Sequence, residues 1–263
     1  MTPTASLPAS LSGCRLDGRI ALVAGGGRGI GLASAIGLAQ AGADVYLLSR
    51  TLRELEQAAD LIRADGGVAN TLVCDVTNST EMQAAIARIP QLDILINNAG
   101  SNLPEPFVDV TEERLDRVLD LNVRAAFLVA QAAIRKMLDA PNRKERGAAV
   151  VNISSQMGHV GAPLRSVYCM TKHALEGLTK ALAVELAPHN IRVNAIAPTF
   201  IETPLTAPFF DEPQFREWVL NRIPLGRLGK LDEVTAAIVF LASPAASLIT
   251  GTSLLVDGGW TAQ

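Results

Sequence analysis

The sequence predicts a doubly wound α/β fold, a single domain built on a parallel seven-stranded sheet with helices on both faces. Three observations carry that expectation. Short apolar runs alternate with amphipathic stretches from about residue 20 to residue 256. The runs are apolar at successive positions rather than at alternate ones, as strands covered on both faces require. A glycine-rich turn, Gly25-Gly26-Gly27-Arg28-Gly29-Ile30-Gly31, joins the first run directly to the first amphipathic stretch. The chain has 263 residues, 49% of them apolar, enough for one sizeable domain with a deep core.

The elements follow in order. Ile20-Ala21-Leu22-Val23 reads as the first strand. A helix over 30–41 ends at Gly42, which suits a left-handed C-terminal cap. Val45-Tyr46-Leu47-Leu48 is the second strand and 52–64 the second helix. A strand over 68–74 and a helix over 81–89 come next, then a strand over 92–96. One long helix is expected over 112–138, a strand over 148–153, and a second long helix over 167–186. A strand over 192–196, a helix over 231–241 and a strand over 254–256 complete the sheet. Residues 235–256 carry no charge, but Pro244 and Gly251 interrupt them, so they read as a buried helix followed by a buried strand rather than a membrane span.

Two segments stand outside this rhythm. Residues 1–15 read as a flexible tail, without the basic and apolar regions of a secretory signal, and 16–263 as the domain. Residues 199–230 hold Pro204, Pro208, Pro213 and Pro224, with Phe209, Phe210, Phe215 and Trp218 among them. The segment follows a strand's carboxyl end, so it is expected to be a mobile lid over the substrate. The competing reading is a surface excursion with its own small core.

Composition narrows the function. The formal charge of −3 gives no basic footprint for nucleic acid. Cys14, Cys74 and Cys169 are an odd set without a C-x-x-C pair, which argues against a disulfide framework or zinc site and for a reducing, cytoplasmic compartment. His159, His173 and His189 show no ligand spacing, so no metal is expected. No membrane partner is expected either.

The chemistry-bearing pattern is Tyr168-Cys169-Met170-Thr171-Lys172, with Ser155 thirteen residues before the tyrosine. Positions i and i+4 share a helix face, so phenol and ammonium can be aimed at one point. A neighbouring cation is expected to bring a phenol pKa of roughly 10 toward neutrality, giving a proton donor and acceptor near pH 7. The glycine turn opens a helix, where free N–H groups and the helix dipole suit a pyrophosphate. A nucleotide-binding Gly-Lys-Ser/Thr ending is absent, and so is the Gly-x-Ser-x-Gly elbow of a serine hydrolase.

The Gly-x-x-x-Gly-x-Gly spacing of Gly25, Gly29 and Gly31, with Tyr-x-x-x-Lys downstream, resembles the short-chain dehydrogenase/reductase family, whose members have a Rossmann fold. Further matching pieces are Asn97-Asn98-Ala99-Gly100, Asn122, Asn152-Ile153-Ser154-Ser155 and Arg192-Val193-Asn194-Ala195-Ile196-Ala197-Pro198. The resemblance covers 18–259 in the family's order. It implies that Tyr168 is the acid/base, that Lys172 lowers its pKa and binds the nicotinamide ribose, and that Ser155, not Ser154, positions the substrate oxygen. It also implies that Asn122 holds a water in a proton relay. For the cofactor it implies contacts from Gly25, Gly27, Arg28, Gly29, Ile30, Gly31, Asn98, Ala99, Gly100, Tyr168, Lys172 and Pro198, with Ile201 and Thr203 on the carboxamide. Asp75 would contact the adenine and Val76 pack beside it. Two departures are visible: Ala24 stands where the family usually has Thr, and Thr199 where a Gly usually follows Pro198, beside the nicotinamide.

At the end of the second strand the chain has Ser49-Arg50 in place of an acid that would hold a ribose 2′-hydroxyl, and Asp44 begins that strand instead of ending it. Arg28 and Arg50 would suit a 2′-phosphate. NADP(H) is therefore the preferred cofactor, with NAD(H) left open. The expected activity is NADP(H)-dependent interconversion of a ketone or aldehyde and a secondary alcohol, on a sugar acid, polyol or small ketone. Gln156, His159, Leu164 and residues 209–218 are expected to line the pocket. An alternative is a 3-oxoacyl-thioester reductase, for which Arg143, Lys144 and Arg146 would offer a weak carrier-protein docking patch. Outside enzymes, the alternative is a non-catalytic nucleotide sensor. The apolar circumference of the two long helices predicts a homotetramer or dimer, with a second interface near 231–241 and 254–260; a monomer is the competing reading.

Overall fold

In the computed structural model, residues 11–203 and 210–263 are described. Their strands are β1 (Ile20–Ala24), β2 (Asp44–Ser49), β3 (Val68–Val73), β4 (Ile94–Asn97), β5 (Ala148–Ile153), β6 (Ile191–Pro198) and β7 (Ser253–Val256). They pair in the order β3-β2-β1-β4-β5-β6-β7, every pair parallel. The helices are α1 (Gly29–Gln40), α2 (Leu52–Ala64), α3 (Ser79–Ala87), α4 (Glu112–Leu119), α5 (Ala126–Leu138), α6 (Arg143–Arg146), α7 (Ser166–Leu186), α8 (Pro213–Leu220) and α9 (Leu231–Ala242). The chain winds outward from β1 through β2 to β3, then returns to the other side of β1 at β4. That reversal opens a crevice at the carboxyl ends of β1 and β4.

The apolar runs have a simple cause. Successive strand residues point to opposite faces, and both faces are cores. In β1, Ala21 and Val23 join Leu38, Leu55 and Ile238 on one side, while Leu22 and Ala24 join Met82, Val129 and Met137 on the other. All four strand residues are fully buried.

Several details differ from the expectations. The helix expected over 112–138 is broken by a π-helical turn, Asp120–Ala125, between α4 and α5. Its N-terminus is capped by Thr111, whose hydroxyl accepts from the Arg114 N–H at 3.3 Å. Leu11–Cys14, placed in the expected tail, form a turn of 3₁₀ helix. β7 is an edge strand, only half-buried, with Leu255 exposed, because no described strand pairs with its outer side.

The segment after β6 builds its own small core. Phe200 meets Phe210, Phe215 and Trp260, with ring centres 5.7–5.9 Å apart, and Trp218 stacks on Phe215. Val219, Ile223 and Leu228 complete the cluster. Trp260, expected near a subunit interface, is buried in this cluster. Pro204, Pro208 and Phe209 lie outside the described residues.

The suggested basic docking patch is overturned. Arg143 is buried and donates to the carbonyls of Met137 and Leu92 at 2.7 and 2.8 Å. Arg146 pairs with the buried Asp93 carboxylate at 2.8 Å. Asp93 precedes β4, so these guanidiniums clamp the amino ends of the strands, opposite the crevice.

Candidate active site

The glycine turn is held by main-chain atoms. The N–H groups of Gly25 and Gly26 both donate to the Leu48 carbonyl, at 2.7 and 3.2 Å. Gly25 sits at φ +74°, a left-handed conformation that disfavours any side chain. A Cβ on Gly31 would run into the Gly25 carbonyl oxygen and lie 2.7 Å from Asn98 Nδ2. Asn98 Nδ2 itself donates to that carbonyl at 3.1 Å, tying the turn to the end of β4, beside Ala99 and Gly100. No side chain caps the first turn of α1, whose N–H groups stay available for an anion. The bare glycine cradle at a helix start fits a dinucleotide pyrophosphate.

Ser49, the last residue of β2, lies over this turn, its Oγ 3.3 Å from where a Gly27 Cβ would be. Arg28 and Arg50 are exposed and only loosely paired, with Glu54 at 4.0 Å and Asp75 at 3.9 Å. Exposed pairs at that range hold little energy, so either guanidinium can turn to a phosphate. Asp75 Oδ1 accepts from the Thr77 N–H at 3.0 Å and hydroxyl at 2.8 Å, and Val76 is buried in the core that Ala99 flanks.

At the other side of the crevice, Ser155 follows β5 and Tyr168 and Lys172 lie in the first turns of α7. The Ser155 hydroxyl donates to Gln156 Oε1 at 2.7 Å and lies near enough to the Tyr168 phenol to favour its ionised form. Lys172 is buried; its ammonium donates to the Ile153 carbonyl at 2.7 Å and sits 5.4 Å from the centre of the Tyr168 ring. Ser154 Oγ is buried against Gly158 without a hydrogen-bond partner among the described residues.

The expected fall in the phenol pKa is corrected by this geometry. Desolvation around the hydroxyl pushes Tyr168 up to about 12, against the pull of the Ser155 hydrogen bond. The same desolvation lowers Lys172 to about 8, partly offset by buried Glu176 one turn further on. The cation that pulls the phenol down is Arg165, and its field does not outweigh burial.

The π-helical turn puts Asn122 at the bottom of the site. Its Oδ1 accepts from the Ser101 N–H and its Nδ2 donates to the Ser101 carbonyl, both at 2.8 Å, and to Thr171 Oγ1 at 3.2 Å. The extra residue of such a turn aims one side chain out of helical register, a device frequent at functional sites. A second buried chain crosses the strand ends: Asn97 Nδ2 donates to Asn152 Oδ1 at 3.1 Å, and Asn152 Nδ2 to Thr179 Oγ1 at 2.9 Å. This fixes β4 and β5 to α7.

A cleft of about 370 Å³ is walled by Met157, Leu164, Phe200, Phe215 and Trp218, with Arg165 and Glu212 among its lining residues; Tyr168 and Ser155 do not line it, but Arg165 lies three residues before the one and Met157 two after the other. Leu164, Phe215 and Trp218 are where the sequence suggested. Gln156 and His159 do not line it. Gln156 is drawn to Ser155, and His159 Nε2 lies 3.0 Å from Ser253 Oγ and 3.3 Å from Glu176. Arg165 and Phe200 were missed, while Glu212 falls within the expected 209–218 stretch. Pro198, Ile201 and Thr203 lead from β6 toward the aromatic segment, and Thr199 Oγ1 is buried without a partner among the described residues. Among the described residues no acidic, histidine or cysteine group could hold a metal, and no helix is long and apolar enough to cross a membrane.

Similarity to known proteins agrees with this geometry. The family model described as enoyl-(acyl carrier protein) reductase matches residues 24–261. L-xylulose reductase of Bos taurus is 41% identical over 250 residues, 94% of this chain and 98% of that protein. The structure of a short-chain type dehydrogenase/reductase from Mycobacterium marinum is 37% identical, with a TM-score of 0.90 over 96% of this chain and 99% of its own. A gluconate 5-dehydrogenase from Burkholderia cenocepacia J2315, in complex with NADP and tartrate, is 36% identical, with a TM-score of 0.90 over 96% of this chain and 99% of its own. With the fold, the crevice and these relatives in agreement, the chain belongs to the short-chain dehydrogenase/reductase family and is an oxidoreductase that interconverts carbonyl and alcohol.

Proposed function

We propose that the protein reduces a ketone or aldehyde to an alcohol, and runs the reverse reaction, with NADP(H) preferred over NAD(H) and Tyr168 as acid and base. The reading is carried by the Tyr168 phenol near the Ser155 hydroxyl and one helical turn from the Lys172 ammonium, with the apolar cleft lined by Met157 and Arg165, close neighbours of both in the chain. When bound, the nicotinamide supplies or takes the hydride.

The chain's own residues position and protonate. The Ser155 hydroxyl donates to Gln156 and, turned toward Tyr168, donates to the phenolate and favours that ionised form. A substrate carbonyl entering from the cleft takes the phenol proton. A phenol held near 12 is protonated at neutral pH, so reduction needs no prior ionisation. The Lys172 cation stabilises the phenolate left behind. Asn122, clamped to Ser101 and Thr171, holds the Lys172 turn in place and is the assigned relay residue. Arg28, Arg50 and Ser49 receive the 2′-phosphate, the glycines Gly25 to Gly31 the pyrophosphate, Asp75 and Val76 the adenine, and Asn98 to Gly100 with Pro198, Ile201 and Thr203 the nicotinamide half. NADP in the Burkholderia relative supports this choice.

For the substrate, the names of the relatives favour a polyol or sugar-acid carbonyl. The second reading, a 3-oxoacyl-thioester reductase, has the family model's description in its favour, but its docking patch is tied to Asp93. Cytoplasmic residence agrees with three free cysteines. A homotetramer would cover Phe127 and Leu138 on α5, Met170 and Val184 on α7, and Leu255 on β7, all exposed in the single chain. Light scattering at micromolar concentration should give four chains per particle; a one-chain mass removes the assembly. The activity itself is tested by oxidation of NADPH and NADH with a panel of ketones, aldehydes and hydroxy ketones. NADPH should be consumed at least several-fold more efficiently than NADH. No turnover with any carbonyl would leave the nucleotide-sensor reading instead.

A further inference from the structure

Arg165 is a buried charge near Tyr168 that favours the ionised phenol but has no anion paired with it among the described residues. It is 8% exposed, and its Nε has no hydrogen-bond partner among the described residues. Among the described residues its hydrogen bond runs from Nη1 to the Leu164 carbonyl at 3.3 Å. The titratable groups that face it are Tyr168 and Cys169, neither of them anionic at neutral pH, and burial lowers its own pKa. A guanidinium taken out of water without an anion costs several kcal/mol. Such a cost is retained where an anion arrives later.

The surroundings say where that anion sits. Arg165 lines the cleft with Met157, Phe200, Phe215 and Trp218. It immediately precedes α7, one turn before Tyr168. Leu164, just before it, is held at φ +60°, a strained conformation for a branched residue, and that bend carries the chain into α7. The apolar walls make the site a poor solvent for charge, which strengthens any ion pair formed inside it. A guanidinium fork matches a carboxylate by two parallel hydrogen bonds. Glu212 also lines the cleft but is exposed and forms no recorded ion pair with Arg165.

We propose that Arg165 anchors a carboxylate of the substrate, so that the preferred substrate is an oxo acid, a ketone that also carries a carboxylate. The proposal rests on the reading of Tyr168 and this cleft as a carbonyl-reducing site. Arg165 acts in specificity: it holds the acid end while Ser155 and Tyr168 meet the carbonyl.

The test compares each oxo acid with its uncharged amide. NADPH oxidation is followed with 5-oxo-D-gluconate and 4-oxopentanoate and with their primary amides, using wild type, Arg165→Lys and Arg165→Met. The ratio of kcat/KM for acid over amide should exceed one in the wild type. It should fall about 10- to 100-fold in Arg165→Met, mostly through KM, with Arg165→Lys between. A wild-type ratio at or below one, or a ratio unchanged by Arg165→Met, overturns the proposal. An ion pair with Glu212 would instead make Arg165→Met and Glu212→Gln equally harmful to acid and amide, and that result also overturns it. Calorimetric titration of NADP⁺-loaded wild type with D-gluconate and with gluconamide needs neither turnover nor a folded variant. Binding of the acid alone supports the anchor even if no carbonyl is reduced, in which case only the reading of the reaction fails. Equal binding of acid and amide sinks the anchor.

Discussion

The glycine turn and the aromatic segment sit at the two ends of one crevice, and they are built by different means. The turn is held by main-chain hydrogen bonds and by space too small for a Cβ, so almost every atom of it is dictated by glycine. The segment after β6 is held by rings leaning on rings, with Phe200, Phe215 and Trp218 leaving a cleft beside Arg165. The first construction accepts one shape of ligand, a dinucleotide. The second can change its lining without disturbing the sheet, because its small core is separate from the two main ones. The fixed chemistry and the adjustable specificity thus occupy different parts of the molecule.

The comparison predicts that damage should sort by region. The largest effect belongs to the proton donor where the two regions meet. Tyr168→Phe keeps the ring and removes the proton, so turnover should drop by about 10²- to 10⁴-fold while NADPH still binds; steady-state rates with a fluorescence titration of NADPH check both halves. Retained activity would break the acid/base assignment. Next come two substitutions that should part cleanly. Arg50→Ala should weaken NADPH by about 1–3 kcal/mol and leave NADH little changed. Phe215→Ala should raise the substrate KM by about 5- to 30-fold through lost apolar contact and leave NADPH affinity alone. If Phe215→Ala weakens NADPH as much as Arg50→Ala does, the two regions are not separable.

The smallest effect is on stability and pH. Lys172 is lowered to about 8 from an ordinary 10.5, so between those values the unfolded chain binds more protons than the folded one at this site. Its contribution to stability is therefore unfavourable below pH 8 and recovers as pH rises toward 10. Tyr168, raised to about 12, acts oppositely above pH 10. Lys172→Met should be more stable than wild type at pH 7, by on the order of 1–3 kcal/mol, with the gain shrinking at pH 9.5. Urea midpoints at the two pH values measure it, and a gain that grows with pH contradicts the burial account.

The same division explains what could be read before the structure. The strands were legible in chain order because both faces of the sheet are cores, which turns alternation into continuous apolar runs. Tyr168 and Lys172 were legible because helix spacing brings them together, and Ser155 through its spacing to the tyrosine in the family resemblance. The π-helical turn at Asn122 was not, since one inserted residue barely disturbs an apolar stripe. Arg165 was invisible because Pro163-Leu164-Arg165-Ser166 reads as a solvated loop; only the left-handed Leu164 shows where the side chain goes. The direction of the Tyr168 shift was missed because a nearby cation was counted and burial was not. Gln156 was assigned to the substrate, while its amide in fact accepts the Ser155 proton.

The central claim is that this crevice moves a hydride to a carbonyl while Tyr168 gives the proton. NADPH carrying deuterium at both C4 positions, reacted with an accepted carbonyl in ordinary water, tests it most directly. The account predicts alcohol with one deuterium on the former carbonyl carbon per NADPH consumed, formed at the wild-type rate only when the phenol is present. Alcohol without carbon-bound deuterium, or NADPH consumed without alcohol, would contradict it.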